Sequence, residues 1–169
     1  MQTAAYYIKK LNLNTHVEGG AFIETYRSEG TIPHAALPHT FGGDTHFGTG
    51  IYFLLQTGQF SAFHKIASDE MWHFYDGQTL SIYEIEANGN LITHKLGRNL
   101  EAGETFQCVI KAGNWFGSRC EVPNGFSLVG CSVAPGFDFR DFELAHQQTL
   151  LNEFPHLSEI ILQLTHPSQ

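Results

Sequence analysis

The residues best placed to do chemistry are His64 and Glu70, which fall within the stretch 58–77. That stretch reads as two short aromatic strands joined by a polar turn, with the histidine on the first strand and the carboxylate at the start of the second. Adjacent antiparallel strands bring residues distant in sequence within cross-strand reach, so both groups could face one cavity. On the first strand Phe60, Ala62 and Ile66 share the face of His64 and are apolar, which fits an inward direction. An imidazole titrates near operating pH and can take a proton from a carbon acid, with a carboxylate to orient it. The plainer alternative is a buried pair that satisfies each other's hydrogen bonds and does no chemistry. Both readings make His64 and Glu70 the polar centre of the fold.

Around that pair, Arg27, Tyr52, Trp72 and Tyr83 are candidate ligand-binding residues. A guanidinium beside a cavity mouth would clamp a carboxylate or phosphate through two parallel N–H bonds. Tyr26 and Trp72 could stack on a ring. Each also has a packing explanation: Arg27 paired with an acid, the aromatics in the core.

The elements that must position these groups are mostly strands. From Gly50 onward the chain is a succession of short runs at 51–56, Phe60–Ile66, 71–75, Leu80–Ile85, Leu91–Leu96, 105–110, Trp115–Cys120 and 126–133. Turn signals such as Thr57-Gly58, Asp76-Gly77 and Asn88-Gly89 separate them, and turns at this spacing predict an antiparallel sandwich or barrel. Ahead of these, residues 3–11 read as an amphipathic helix capped by Thr3, residues 16–20 as a turn and Ala21–Arg27 as a strand. Residues 28–49, rich in Gly and Pro, carry neither period and predict a long loop whose His34, His39 and His46 could line an entrance. Beyond Pro135-Gly136 the pattern turns helical, over 142–154 and 157–164, with a break at Pro155.

Length and composition narrow the function. The chain has 169 residues, enough for one domain over 1–169, and is 42% hydrophobic and 13% aromatic. With nine Lys and Arg residues, no basic cluster and a net charge of −8, it lacks the electrostatic footprint of a nucleic-acid or anionic-membrane binder. No apolar run is long enough to span a bilayer and the start lacks a signal peptide, so the expected location is cytoplasmic. Cys108, Cys120 and Cys131 are too few and too separated for a disulfide framework and read as reduced core residues. A small-molecule ligand is the expected partner.

The spacing of Gly58, His64, Glu70 and Gly77 resembles the first motif of the cupin superfamily. His16-Val17-Glu18-Gly19-Gly20, Glu24-Thr25-Tyr26-Arg27-Ser28, Asp69-Glu70-Met71-Trp72-His73-Phe74 and the segment from Gly125 to Leu144 are similar to the cupin group labelled predicted sugar epimerases. The resemblance implies an all-β, cupin-type double-stranded β-helix (a jelly-roll barrel), here with an N-terminal helix and two short C-terminal helices. It further implies ligand binding in the barrel, metal-independent epimerase or isomerase chemistry with His64 as base, Glu70 or Asp69 as its partner and Tyr52, Tyr75 or Tyr83 returning a proton on the other face, and a homodimer formed through the outer sheet. No cofactor is required by that reading.

Metal-holding cupins instead use two histidines, a glutamate and a further histidine, a set suited to divalent transition metals. Here Ile66 replaces one first-motif histidine and Phe116 the last one, leaving His64 and Glu70 as the metal ligands of an alternative, metal-dependent reading. His73 could be recruited only if the strand were irregular, since alternation places it opposite Glu70; His46 could swing in from the loop. A third alternative is a binding module without catalysis.

Overall fold

The computed structural model describes residues 2–16 and 19–167. Helix α1 (Ala4–Leu11) begins where the Thr3 hydroxyl accepts the Tyr6 N–H at 3.2 Å and ends on Asn12, whose left-handed φ of 55° is one that asparagine tolerates. Its apolar stripe of Ala4, Tyr7, Ile8 and Leu11 packs on Leu13, Leu54 and Leu128. The turn expected at 16–20 is closed by His16 and Gly20, whose backbones bond at 3.1 Å; Val17 and Glu18 lie outside the described residues.

Two facing antiparallel sheets make the body. The six-stranded sheet runs β1 (Asn14–Thr15), β2 (Ala21–Arg27), β5 (Thr49–Gln56), β12 (Phe126–Ala134), β7 (Asp69–Gly77), β10 (Gln107–Ile110). The five-stranded sheet runs β13 (Phe142–Leu144), β6 (Phe60–Ile66), β11 (Trp115–Cys120), β8 (Leu80–Ile85), β9 (Leu91–Leu96). This is the expected all-β jelly-roll barrel, with one helix before it and two after. Alternation sorts the strands cleanly: on β5, Ile51, Phe53 and Leu55 face between the sheets, while Tyr52 and Leu54 face outward toward α1. Trp72, Ile82, Phe116 and Val129 complete the inner core. A second cluster, built on Phe63, Ile85, Leu150 and Ile161, seats the C-terminal helices on the outside of the five-stranded sheet. No helix among the described residues is long and apolar enough to cross a membrane.

The structure departs from the sequence expectations in three places. Residues 28–49 are not an unstructured loop: β3 (Thr31–Ile32) pairs with β4 (Thr45–His46), and a 3-10 turn covers His34–Ala36. Two-residue strands are too short to show a period, and bonds from side chains to the backbone hold them instead. His34 contacts the Phe41 carbonyl at 2.9 Å and His46 the Ser28 carbonyl at 2.6 Å. Next, residues 142–144 do not start a helix. They form β13 against Ile66, Lys65 and His64, and α2 (Gln147–Glu153) follows, with α3 (Ser158–Gln163) beyond Pro155 as expected. Last, β6 carries a bulge: His64 pairs with Phe116 but Ser61 with Ser118, so two residues, Ala62 and Phe63, stand on one strand against Gly117 on the other. The extra residue turns Phe60 to the outer face, where it packs against the C-terminal cluster and not beside His64.

Candidate functional site

The expected pairing of His64 and Glu70 across neighbouring strands is replaced by a different geometry. Their strands belong to opposite sheets, β6 to the five-stranded one and β7 to the six-stranded one, so Ala67 and Ser68 carry the chain across the sandwich. The two side chains therefore approach one cavity, of about 260 Å³, from opposite walls. They are 4% and 7% exposed.

His64 lies between two phenyl rings, Phe116 at 4.1 Å and Phe142 at 5.3 Å between centroids. Its Nδ1 is 2.7 Å from the Ala62 carbonyl oxygen. A carbonyl can only accept, so Nδ1 carries a proton and donates it there, which leaves Nε2 turned away from the Ala62 backbone. Glu70, opposite Val133 and Ile110 in the ladders, supplies the carboxylate of the other wall. His16, placed just after β1, joins them, its ring edge-on to Phe22 at 4.5 Å and to Phe53 at 5.9 Å. Cys131 on β12 also lines the cavity.

The rim is charged and the roof aromatic. Arg27 grips Glu24 through two bonds, at 2.9 and 2.6 Å, and donates a third to the Phe137 carbonyl at 3.2 Å. That carboxylate is the main reason the guanidinium holds its proton still more firmly than usual. Phe137, Phe139 and Phe142 pack edge to face with centroids 5.0 to 6.2 Å apart. The 28–49 segment ties this roof down: Thr45 Oγ1 donates to the Gly136 carbonyl at 2.7 Å, Gly42 N–H to Asp141 Oδ1 at 2.6 Å, and Arg140 to the Asp44 carbonyl. Ile66 and Phe142 also wall a second hollow of about 580 Å³, which reaches Lys65 and Arg140.

The structure brings His64, Glu70 and Arg27 to the cavity and places the other candidates elsewhere. Tyr52 points to the outer face of its sheet, with its ring 5.7 Å from that of Tyr75. Tyr83 faces the C-terminal helices and donates to Glu121 at 2.6 Å; burial and that carboxylate raise its phenol. Trp72 is packed between Phe53 and Phe116 at 6.0 and 6.3 Å, and its Nε1 has no hydrogen-bond partner. Asp69 turns to Lys111 Nζ at 2.7 Å and the Ala112 N–H at 2.9 Å, which hold its carboxyl below the usual range. His73 faces outward, 3.0 Å from Ser132 Oγ and 2.9 Å from Gln107 Nε2, opposite Glu70 as alternation required.

Sequence reasoning did not single out His16, Glu24 or Asp138, which line the cavity, nor Glu84. Glu84 is buried and accepts from His94 Nε2 at 2.7 Å, Asn114 Nδ2 at 2.7 Å and the Lys111 N–H at 3.1 Å, a network that fastens the β10–β11 turn. Residue type and position in a predicted strand were its only signals.

Ile66 stands in the wall beside His64, Phe116 stands opposite it, and among the described residues no group of three or more His, Cys, Asp or Glu side chains could hold an ion.

Comparison with solved structures finds two that are similar to this chain over nearly their whole length. A protein from Shewanella oneidensis is 43% identical with a TM-score of 0.90, covering 99% of this chain and 100% of that one. A protein from Leishmania major is 31% identical with a TM-score of 0.89, covering 98% and 99%. Oxalate decarboxylase from Bacillus subtilis shares the fold at 13% identity, with a TM-score of 0.55 over 92% of this chain and 37% of that one. The comparison with curated proteins gave no match. The model of the cupin superfamily (DUF985) matches residues 5–145, and the chain belongs to that family.

Proposed function

We propose that the cavity binds a small molecule and that His64 Nε2 takes a proton from a carbon of it, with Glu70 as the acidic partner, in an epimerisation or isomerisation. The bond from Nδ1 to the Ala62 carbonyl carries this reading: it directs the basic nitrogen away from the backbone and gives the ring one orientation. The size of the site selects among sugar-type ligands. At about 260 Å³ it lies just below the ~300–1,000 Å³ of ordinary ligand pockets, room for one sugar-sized ring. The nucleotide of a nucleotide-sugar would lie outside it.

The test is nuclear magnetic resonance in deuterated water with a panel of aldoses, ketoses and small 2-hydroxy acids. The wild type interconverts two stereoisomers of one panel member with solvent deuterium in the product. His64→Asn, folded by near-ultraviolet circular dichroism, loses at least about 100-fold of that rate. A ligand bound with no interconversion would point instead to a non-catalytic binding module.

A further inference from the structure

The guanidinium expected to clamp a carboxylate or phosphate already has a carboxylate in its fork. Arg27 commits Nε and Nη2 to Glu24, at 2.9 and 2.6 Å, and an Nη1 proton to the Phe137 carbonyl at 3.2 Å. Arg27 and Glu24 both line the cavity, and among the described residues that lining contains one arginine and no lysine. We propose that the Arg27–Glu24 pair is a hydroxyl-recognition subsite, that Glu24 sets specificity against anions, and that the ligand is a neutral sugar and not a sugar acid, sugar phosphate or nucleotide-sugar. This rests on the reading of the cavity as a site for one sugar-sized ring, and not on which group moves a proton.

The pair offers both halves of a hydrogen bond side by side. A guanidinium has five N–H donors, and with three committed two remain for a ligand. Each Glu24 oxygen takes one bond from Arg27 and keeps a further acceptor position. A hydroxyl group donates and accepts, so it can meet both partners. An ionised carboxylate or phosphate accepts without donating, and it would lie beside Glu24 with no net positive charge to draw it in. The side chains of Arg27 and Glu24 are 33% and 39% exposed, which keeps them within reach of a ligand.

The rest of the rim is set in the same way. Asp138, also in the lining, faces Arg140 at 3.2 Å, so a second acid is matched by a second arginine. Glu24 first, and Asp138 after it, make the Arg27 guanidinium hold its proton more firmly than usual. Phe139 is 55% exposed at the cavity and packs edge to face with Phe137 and Phe142. A sugar ring has an apolar C–H face and a hydroxyl edge, and a half-bare phenyl beside a donor–acceptor pair matches the two.

The experiment measures dissociation constants by ligand-observed nuclear magnetic resonance at pH 7 and fixed ionic strength. The probes are glucose, galactose and mannose, each beside its uronic acid and its 6-phosphate, with wild type, Glu24→Gln and Glu24→Ser. Glutamine keeps the size of the side chain and removes its charge; the serine variant serves should the first lose its near-ultraviolet circular dichroism. Wild type binds at least one neutral sugar, and binds it at least about 10-fold more tightly than the matching acid and phosphate. In Glu24→Gln that ratio falls to about 1 or inverts, because the fork of Arg27 is released to an incoming anion. Wild-type binding of an acid or phosphate as tight as that of its neutral sugar overturns this inference alone and leaves the sugar-sized site standing. A preference that persists unchanged in the Glu24 variants also overturns it, by placing the discrimination elsewhere. A wild type that binds none of the probes overturns the sugar reading and this one with it.

Discussion

Arg27 and Glu24 meet side-on at the cavity rim, Nε 2.9 Å from Oε1 and Nη2 2.6 Å from Oε2. Because the same guanidinium reaches the Phe137 carbonyl, the pair fastens the roof to β2. Lysine keeps the charge but not the fork, so Arg27→Lys should release that carbonyl. Both side chains are about a third exposed or more, so solvent screening limits the loss to about 1 kcal/mol or less. Thermal unfolding should show a fall of about 2–4 °C at most; a much larger fall would mean the pair carries more of the fold than its exposure allows.

The docking of α1 should depend on acid. Tyr7 Oη donates to Asp76 Oδ2 at 2.7 Å and Arg98 Nη2 to Oδ1 at 2.6 Å. The tyrosine bond is the main cause that lowers the Asp76 carboxyl, and the same bond raises the Tyr7 phenol. A lowered carboxyl contributes stability that is full above its unfolded value, near 3.9, and is lost as pH falls through the folded one. The raised phenol contributes stability that is full below about 10 and is lost as pH rises through its folded value. Asp76→Asn should cost about 1 kcal/mol at pH 7 and flatten the loss of stability below pH 4, as read from urea unfolding across pH.

The cysteines should be inert in the folded protein. Burial, with Glu84 and Glu70 nearby, pushes the Cys108 thiol up to about 12, and Cys120 and Cys131 are buried. A thiolate is the reactive form, so a thiol reagent at pH 8 should label none of the three within minutes and all three in denaturant. Rapid labelling of Cys108 in the native state would contradict this burial.

We propose that two copies pair through the bare half of the six-stranded sheet. Tyr26 and Tyr75, 59% and 49% exposed, rim a groove there that carries no charged side chain, on a chain of net charge −8. Light scattering at micromolar concentration should give about twice the 18.9 kDa chain mass, and Tyr75→Arg should halve it. A wild-type mass of one chain would end this idea.

Much of the fold was legible because its signals are local. Thr3, the glycine-bearing turns and the alternation of Ile51, Phe53 and Leu55 each act within a few residues. So does the apolar setting of His64. What was not legible depends on pairing between distant strands. The bulge that turns Phe60 outward is a mismatch with Ser118, and no property of residues 60–66 announces it. The β13 strand reads as the start of a helix because Phe142 and Ala145, three residues apart, fit helical spacing, and only the open edge beside His64 decides for strand. His16 could not be assigned to the cavity because alternation says nothing past the end of a strand. Tyr52 and Tyr83 were candidates by type, and their faces were fixed only when the partners of β5 and β8 were known.

Phe142 and Ile66 are walls held in common by the cavity of His64 and the hollow that reaches Lys65 and Arg140. Trimming Phe142 to a small residue would take away part of the wall of both spaces at once. A change to this one ring is therefore felt in two spaces, not one.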